Sequence, residues 1–172
     1  AELVVAAWVA RFVQQHPGMR VELVTDDALV DIVAGGFDAG VRFGESLQQD
    51  MVAVPIGPMQ RFVVVAAPAY LQTHGVPQCP RDLTRYPCVR IRFPTGSFYR
   101  WEFAKGSEQF DIEVDGPLAV SDMPLMVQAA EAGLGLAYVY AQYAAPAIAA
   151  GRLLTVLDDW CPSIPGFYLY YP

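Results

Sequence analysis

With 172 residues, 54% of them hydrophobic and 17% charged, the chain has apolar material for one ordinary domain or two small lobes and lies far from the composition of a disordered polymer. No uninterrupted apolar run approaches the ~20 residues that span a bilayer, and no basic segment followed by an apolar one opens the chain, so a soluble protein is expected, with any export signal absent or already removed. The net charge of -7, with only 11 Lys and Arg scattered along the sequence, argues against a phosphate-binding surface on this piece; if DNA is involved, another segment touches it.

Val5, Trp8, Val9, Phe12 and Val13 follow the spacing of one helical face, and His16-Pro17-Gly18 stops that helix. Met19 to Thr25 alternates as a strand does. Asp26 or Asp27 can cap a second helix carrying Leu29, Val30, Ile32 and Val33, which Gly35-Gly36 ends. Asp38 to Gly44 reads as another short strand. Helix, strand, helix, strand implies right-handed crossovers and a parallel sheet. Such a unit normally begins with a strand, so a leading strand is expected upstream of Ala1.

Pro55-Ile56-Gly57-Pro58 punctuates the chain and marks a candidate crossing between lobes. The second unit then reads as a strand from Phe62 to Ala67, a helix from Pro68 to Leu71, another from Arg81 to Leu83, a strand from Cys88 to Ile91 and a polar turn from Phe93 to Ser97. Tyr99 to Phe103 and Phe110 to Val114 flank Lys105-Gly106 as a β-hairpin. Leu118 to Val120 is a strand, Ser121-Asp122 a helix cap, and Met123 to Ala132 a helix closed by Gly133. Leu134 to Tyr140 returns as an apolar strand, an alanine-rich helix runs to Ala150, and Leu153 to Leu157 and Phe167 to Tyr171 are the last strands. Trp8, Phe12, Phe62 and Phe110 fall on predicted core faces.

Several stretches resemble the effector-binding domains of LysR-type transcriptional regulators. Phe12-Val13-Gln14-Gln15-His16-Pro17 followed by Val21-Glu22-Leu23 is similar to the family's helix-to-strand signature, and Leu29 to Arg42, with Ala34-Gly35-Gly36-Phe37-Asp38 at its centre, to its most recognisable segment. Ala67-Pro68-Ala69-Tyr70-Leu71, Asp115-Gly116-Pro117-Leu118 and Gly133-Leu134-Gly135-Leu136-Ala137 also match. No single motif is specific, but five in the family's order across nearly the whole chain carry the resemblance. The family's leading strand with its polar loop is missing before Ala1, and its final helix after Pro172.

The resemblance implies an α/β fold of two Rossmann-like lobes, of periplasmic-binding-protein type, joined by two crossing strands with a ligand cleft between them. Residues 1–58 and 161–172 would form the first lobe and 59–160 the second. It also implies a homodimer or homotetramer in the cytoplasm, with DNA reached only through an N-terminal winged helix-turn-helix outside these residues.

Ligands of open α/β sheets sit beyond the carboxyl ends of strands and at helix amino termini. That rule selects Thr25 and Asp26, Arg42 and Phe43, Ser121 and Asp122, the turn Thr95-Gly96-Ser97, and Tyr138 and Tyr140 as an aromatic wall. Asp26, Ser121 and Asp122 suit plain helix caps equally well. Arg42 can grip a carboxylate or pair with Asp26 or Glu45. Cys79, Cys88 and Cys161 are odd in number, with neither paired spacing nor a neighbouring histidine, so neither a disulfide framework nor a zinc site is expected, while a redox-sensing thiol stays open. His16 and His74 sit in loop positions, away from any nucleophile, and Gly133-Leu134-Gly135 follows a helix, the reverse of the nucleotide-binding order.

The expected function is therefore the sensing of a small organic acid or aromatic inducer by a transcription regulator, with no enzymatic activity, metal or cofactor. The alternative is a periplasmic solute-binding protein feeding a transporter.

Overall fold

The opening apolar spacing does fold as a helix, α1 (Glu2–Gln15), in a computed structural model that describes residues 2–25, 32–43 and 51–172. The chain divides into two compact units, Ala1–Met59 with Pro165–Pro172, and Gln60–Ile164.

In the first unit Val5 is buried, but Trp8 and Phe12 are 36% and 41% exposed, so the expected core face of α1 is only partly covered. His16 N–H closes the helix on Phe12 O at 2.9 Å, Met19 N–H turns back to His16 O at 2.9 Å, and Pro17 blocks further helix. Met19 to Thr25, expected as a strand, carries no ladder: alternation proposes a strand, but only a neighbouring backbone makes one. The start of the expected second helix, at Asp26 to Asp31, lies outside the described residues. Its end is a turn in which Phe37 N–H reaches Ile32 O at 2.9 Å and Gly36 N–H reaches Val33 O at 3.1 Å, the paired bonds of a Schellman closure with Gly36 at φ 71°.

The expected parallel sheet is overturned among the described strands of this unit. β1 (Gly40–Phe43) and β2 (Val52–Ile56) both pair antiparallel with β11 (Phe167–Tyr171), which lies between them. Pro55-Ile56, expected as the start of a punctuating stretch to Pro58, is instead the end of strand β2, although Pro55 has no N–H to give a ladder. Such a residue is tolerated where a strand is paired on one side, and Pro55 stands opposite Tyr168.

The second unit is built on a sheet of order β10-β3-β8-β4-β7, made of β10 (Ser163–Ile164), β3 (Gln60–Ala66), β8 (Leu136–Tyr140), β4 (Cys88–Ile91) and β7 (Leu118–Val120). β8, β4 and β7 run parallel, β3 runs against β8, and β9 (Leu154–Val156) also pairs with β3. Because β10 is bonded to β3, and Arg61 Nε donates to Cys161 O at 2.9 Å, Cys161 to Ile164 belong here and not with the first lobe.

Both faces of this sheet are covered, which is why β3 and β8 read as continuous apolar runs. Phe62, Val64, Ala66, Leu136 and Tyr138 pack with Trp101 and Phe103 of the hairpin β5 (Trp101–Lys105) and β6 (Glu108–Ile112), and with Tyr70 and Leu71 of α2 (Pro68–His74). Val63, Val65, Val89, Ala137 and Val139 pack against α3 (Met123–Glu131) and α4 (Ala141–Ala149). Two resembling motifs gain a physical reason here. A Cβ on Gly116 would lie 2.0 Å from Cys88 O, and one on Gly135 2.3 Å from Pro87 O, so both glycines let a backbone pass where a side chain has no room.

Candidate functional site

In the second unit the parallel strands deliver their carboxyl ends to one edge, where open α/β sheets collect ligand chemistry. The pairing of β4 with β7 continues past Ile91, since Arg92 N–H donates to Val120 O at 2.9 Å. Phe93 to Ser97 then closes on itself: Gly96 N–H bonds Phe93 O at 2.8 Å and Phe93 N–H bonds Ser97 O at 2.9 Å, with Gly96 at φ 91°. This is a three-residue hairpin loop that needs left-handed backbone at its last position, which glycine supplies without strain. The returning leg sets Phe98 opposite Arg92 and sends Tyr99 N–H to Ile91 O at 3.0 Å. Arg90 supports the loop from below, its guanidinium 4.1 Å from the Phe98 ring centre and its Nη1 3.3 Å from Asp115.

β7 ends at Val120, Ser121 follows it, and Asp122 caps α3, its carboxylate accepting from Leu125 N–H at 2.9 Å. Between loop and helix start lies an open depression of about 500 Å³, lined by Arg92, Phe93, Pro94, Gly96, Val120, Ser121 and Leu125. A second one, of about 320 Å³, lies along Val76 to Gln78 and Thr155 to Trp160, where Lys105 is already paired with Asp159 at 3.1 Å.

Of the residues selected from sequence, Gly96 and Ser121 line the larger depression together. Thr95 and Ser97 stand in its loop, their hydroxyls 2.9 Å apart. Thr25 is exposed in the first unit, Arg42 and Phe43 end β1 opposite Tyr168 and Phe167, and Asp26 lies outside the described residues. Tyr138 is a core residue: it is 3% exposed, its ring stacks 4.5 Å from that of Phe62, and its hydroxyl donates to Glu102 O at 2.6 Å. Strand alternation puts Tyr138 on the hairpin-covered face, so it forms no wall. Tyr140, two residues on, is half-buried against Phe62. Arg92, Phe93 and Leu125 were not foreseen, although Arg92 directly follows a predicted strand and the same rule would have selected it.

Burial pushes the Cys88 thiol up to about 12 and the Cys161 thiol to about 11, and the Tyr138 hydroxyl also rises through burial. His74 Nδ1 lies 3.0 Å from Tyr70 O and its ring stacks on Tyr70, while the His16 ring lies 4.7 Å from Phe12. Among the described residues no group of three His, Cys, Asp or Glu could hold a metal ion.

The chain belongs to the LysR substrate binding domain family, whose model matches residues 1–172. It is 46% identical over 159 residues to a Pseudomonas aeruginosa protein assigned as a transcriptional regulator, covering 92% of this chain and 52% of that one. It is 38% identical over 172 residues to the uncharacterized HTH-type transcriptional regulator YcaN of Escherichia coli K12, covering 100% of this chain and 56% of YcaN. The chain thus spans about half the length of these relatives. The regulatory domain of AphB variant C227S from Vibrio vulnificus superposes with a TM-score of 0.83 at 23% identity, over 97% of this chain and 82% of that one. The fold is the two-lobed, periplasmic-binding-protein-like α/β fold of such regulatory domains, and the transporter reading is not favoured.

Proposed function

We propose that this domain senses a small organic acid or aromatic effector and passes the event to DNA-binding domains elsewhere in the same regulator. The observation that carries the reading is the depression at the carboxyl ends of β4 and β7, in a chain of this family. A ligand that binds two arrangements of the domain with different affinity shifts the balance between them, and that difference is the signal. In the second unit the candidate ligand contacts are Thr95, Gly96, Ser97, Ser121 and Asp122; in the first, taken by itself, they are Thr25, Arg42 and Phe43, with Asp26 a candidate from sequence alone. DNA contact falls to a winged helix-turn-helix outside these 172 residues, in keeping with the net charge of -7. We read the domain as non-enzymatic and cytoplasmic. His74 stacks on Tyr70 and His16 packs at a tilt against Phe12, all three cysteines are free, and among the described residues no helix is long and apolar enough to cross a membrane.

Self-association as a homodimer or homotetramer is supported by the exposed apolar rings of Trp8 and Phe12 on α1. The test is a thermal-shift screen of organic acids and aromatics, followed by footprinting of the full-length regulator on its operator with each compound that stabilises the domain. A stabilising compound should alter the footprint. Arg42→Ala in the full-length regulator should weaken an acid about tenfold to a hundredfold, the worth of a charge-assisted hydrogen bond. A footprint indifferent to every stabilising compound would refute effector sensing.

A further inference from the structure

We infer that Arg92 is the anion anchor of the depression beside Ser121, and that the effector carries a carboxylate on a small apolar body; the inference rests on the effector-sensing reading. Its basis is how the second unit disposes of positive charge. Arg61, Arg90, Arg100, Lys105 and Arg152 each hold a carboxylate within 3.3 Å, Arg85 pairs with Asp82, and Arg81 lies over the Phe110 ring. Arg92 alone among these combines a place in a cavity wall with no carboxylate or ring partner among the described residues. Its one side-chain bond runs from Nε to Gly96 O at 3.3 Å, which holds the stem against the loop and leaves both Nη atoms for a bidentate acceptor.

Arg92 is exposed to solvent at the wall of the depression, so an anion arriving from outside can reach its guanidinium, and the apolar wall beside it strengthens that pairing over one in open water. Among the described residues no carboxylate lines the depression, and the carboxylate of Asp122, next in the chain after Ser121, accepts from Leu125 N–H. Ser121 adds a hydroxyl that can donate to the second carboxylate oxygen. The rest of the wall is apolar: Phe93, Pro94, Val120 and Leu125 suit a ring or branched chain and offer a second charge nothing.

Benzoate and its neutral isostere benzamide make the test, as ¹H–¹⁵N NMR titrations of the 172-residue chain into the high millimolar range. Benzoate should move the Phe93, Gly96, Ser121 and Leu125 amides saturably, with benzamide at least about tenfold weaker. Arg92→Gln should weaken benzoate about tenfold to a hundredfold, leaving benzamide and the spectrum away from the loop unchanged, while Arg92→Lys should keep part of the affinity as a point charge. Benzoate binding unchanged in Arg92→Gln overturns the anchor. Benzamide binding as tightly as benzoate overturns the carboxylate assignment but leaves effector sensing standing. If neither compound moves these amides, the anchor and this location for the effector fall together.

Discussion

In the second unit β3 buries Phe62, Val64 and Ala66 against the hairpin side and Val63 and Val65 against α3 and α4, so a single strand feeds two cores. In the first unit the described residues include apolar side chains of equal size, Trp8, Phe12, Met19, Leu23 and Val24, that stay more than a third exposed. The same hydrophobic signal has therefore been spent differently. In the second unit it builds a platform packed on both faces that carries the loop of Phe93 to Ser97; in the first it leaves apolar surface exposed.

Tryptophan provides the sharpest test, because both units contain it, Trp8 in the first and Trp101 and Trp160 in the second. Trp101→Ala, at a fully buried position, should cost about 3 to 5 kcal/mol in denaturant unfolding. A cost below about 1 kcal/mol would show that the hairpin is not part of the core.

Alkaline titration probes the same platform at Cys88. Its folded-state thiol is raised from 9.0 to about 12, so below pH 9 both folded and unfolded chains hold the proton and the stability is complete. Between about 9 and about 12 the unfolded chain ionises first, and stability falls as pH rises, by about 4 kcal/mol at most. Unfolding curves recorded near pH 8 and near pH 11 should show the loss, and Cys88→Ala should reduce it, leaving the part that the buried Cys161 thiol, raised to about 11, contributes over the same range. A wild-type stability that does not change over this range would contradict the burial of Cys88.

Asp122→Ala should cost about 1 kcal/mol, since it removes the bond that satisfies Leu125 N–H at the start of α3. A larger loss, or one accompanied by lost ligand binding, would make Asp122 more than a cap. Trp8→Ala should cost the least, about 0.5 kcal/mol or less in monomer stability, while weakening self-association in sedimentation experiments. If Trp8→Ala destabilised the monomer as much as Trp101→Ala, the contrast between the units would vanish.

Much of the fold was legible because its signals are local. The spacing from Val5 to Val13 specifies a helix, Asp122 followed by Met123 to Ala132 a capped one, and Lys105-Gly106 a hairpin, each decided within a few residues. The family was legible too, because Gly116 and Gly135 stand where only the absence of a side chain permits the packing. Strand ends and helix starts also select Gly96 and Ser121, which line the same depression. The three-dimensional arrangement decided what depends on distant partners. It placed β11 between β1 and β2, assigned Ser163 and Ile164 to β3, and turned Tyr138 into the core. It also left Arg92 without a carboxylate while most of its neighbours found one. Helix caps and turns are written in consecutive residues, whereas strand order and charge pairing depend on which remote segments come within a few ångströms, and only the folded chain fixes that distance.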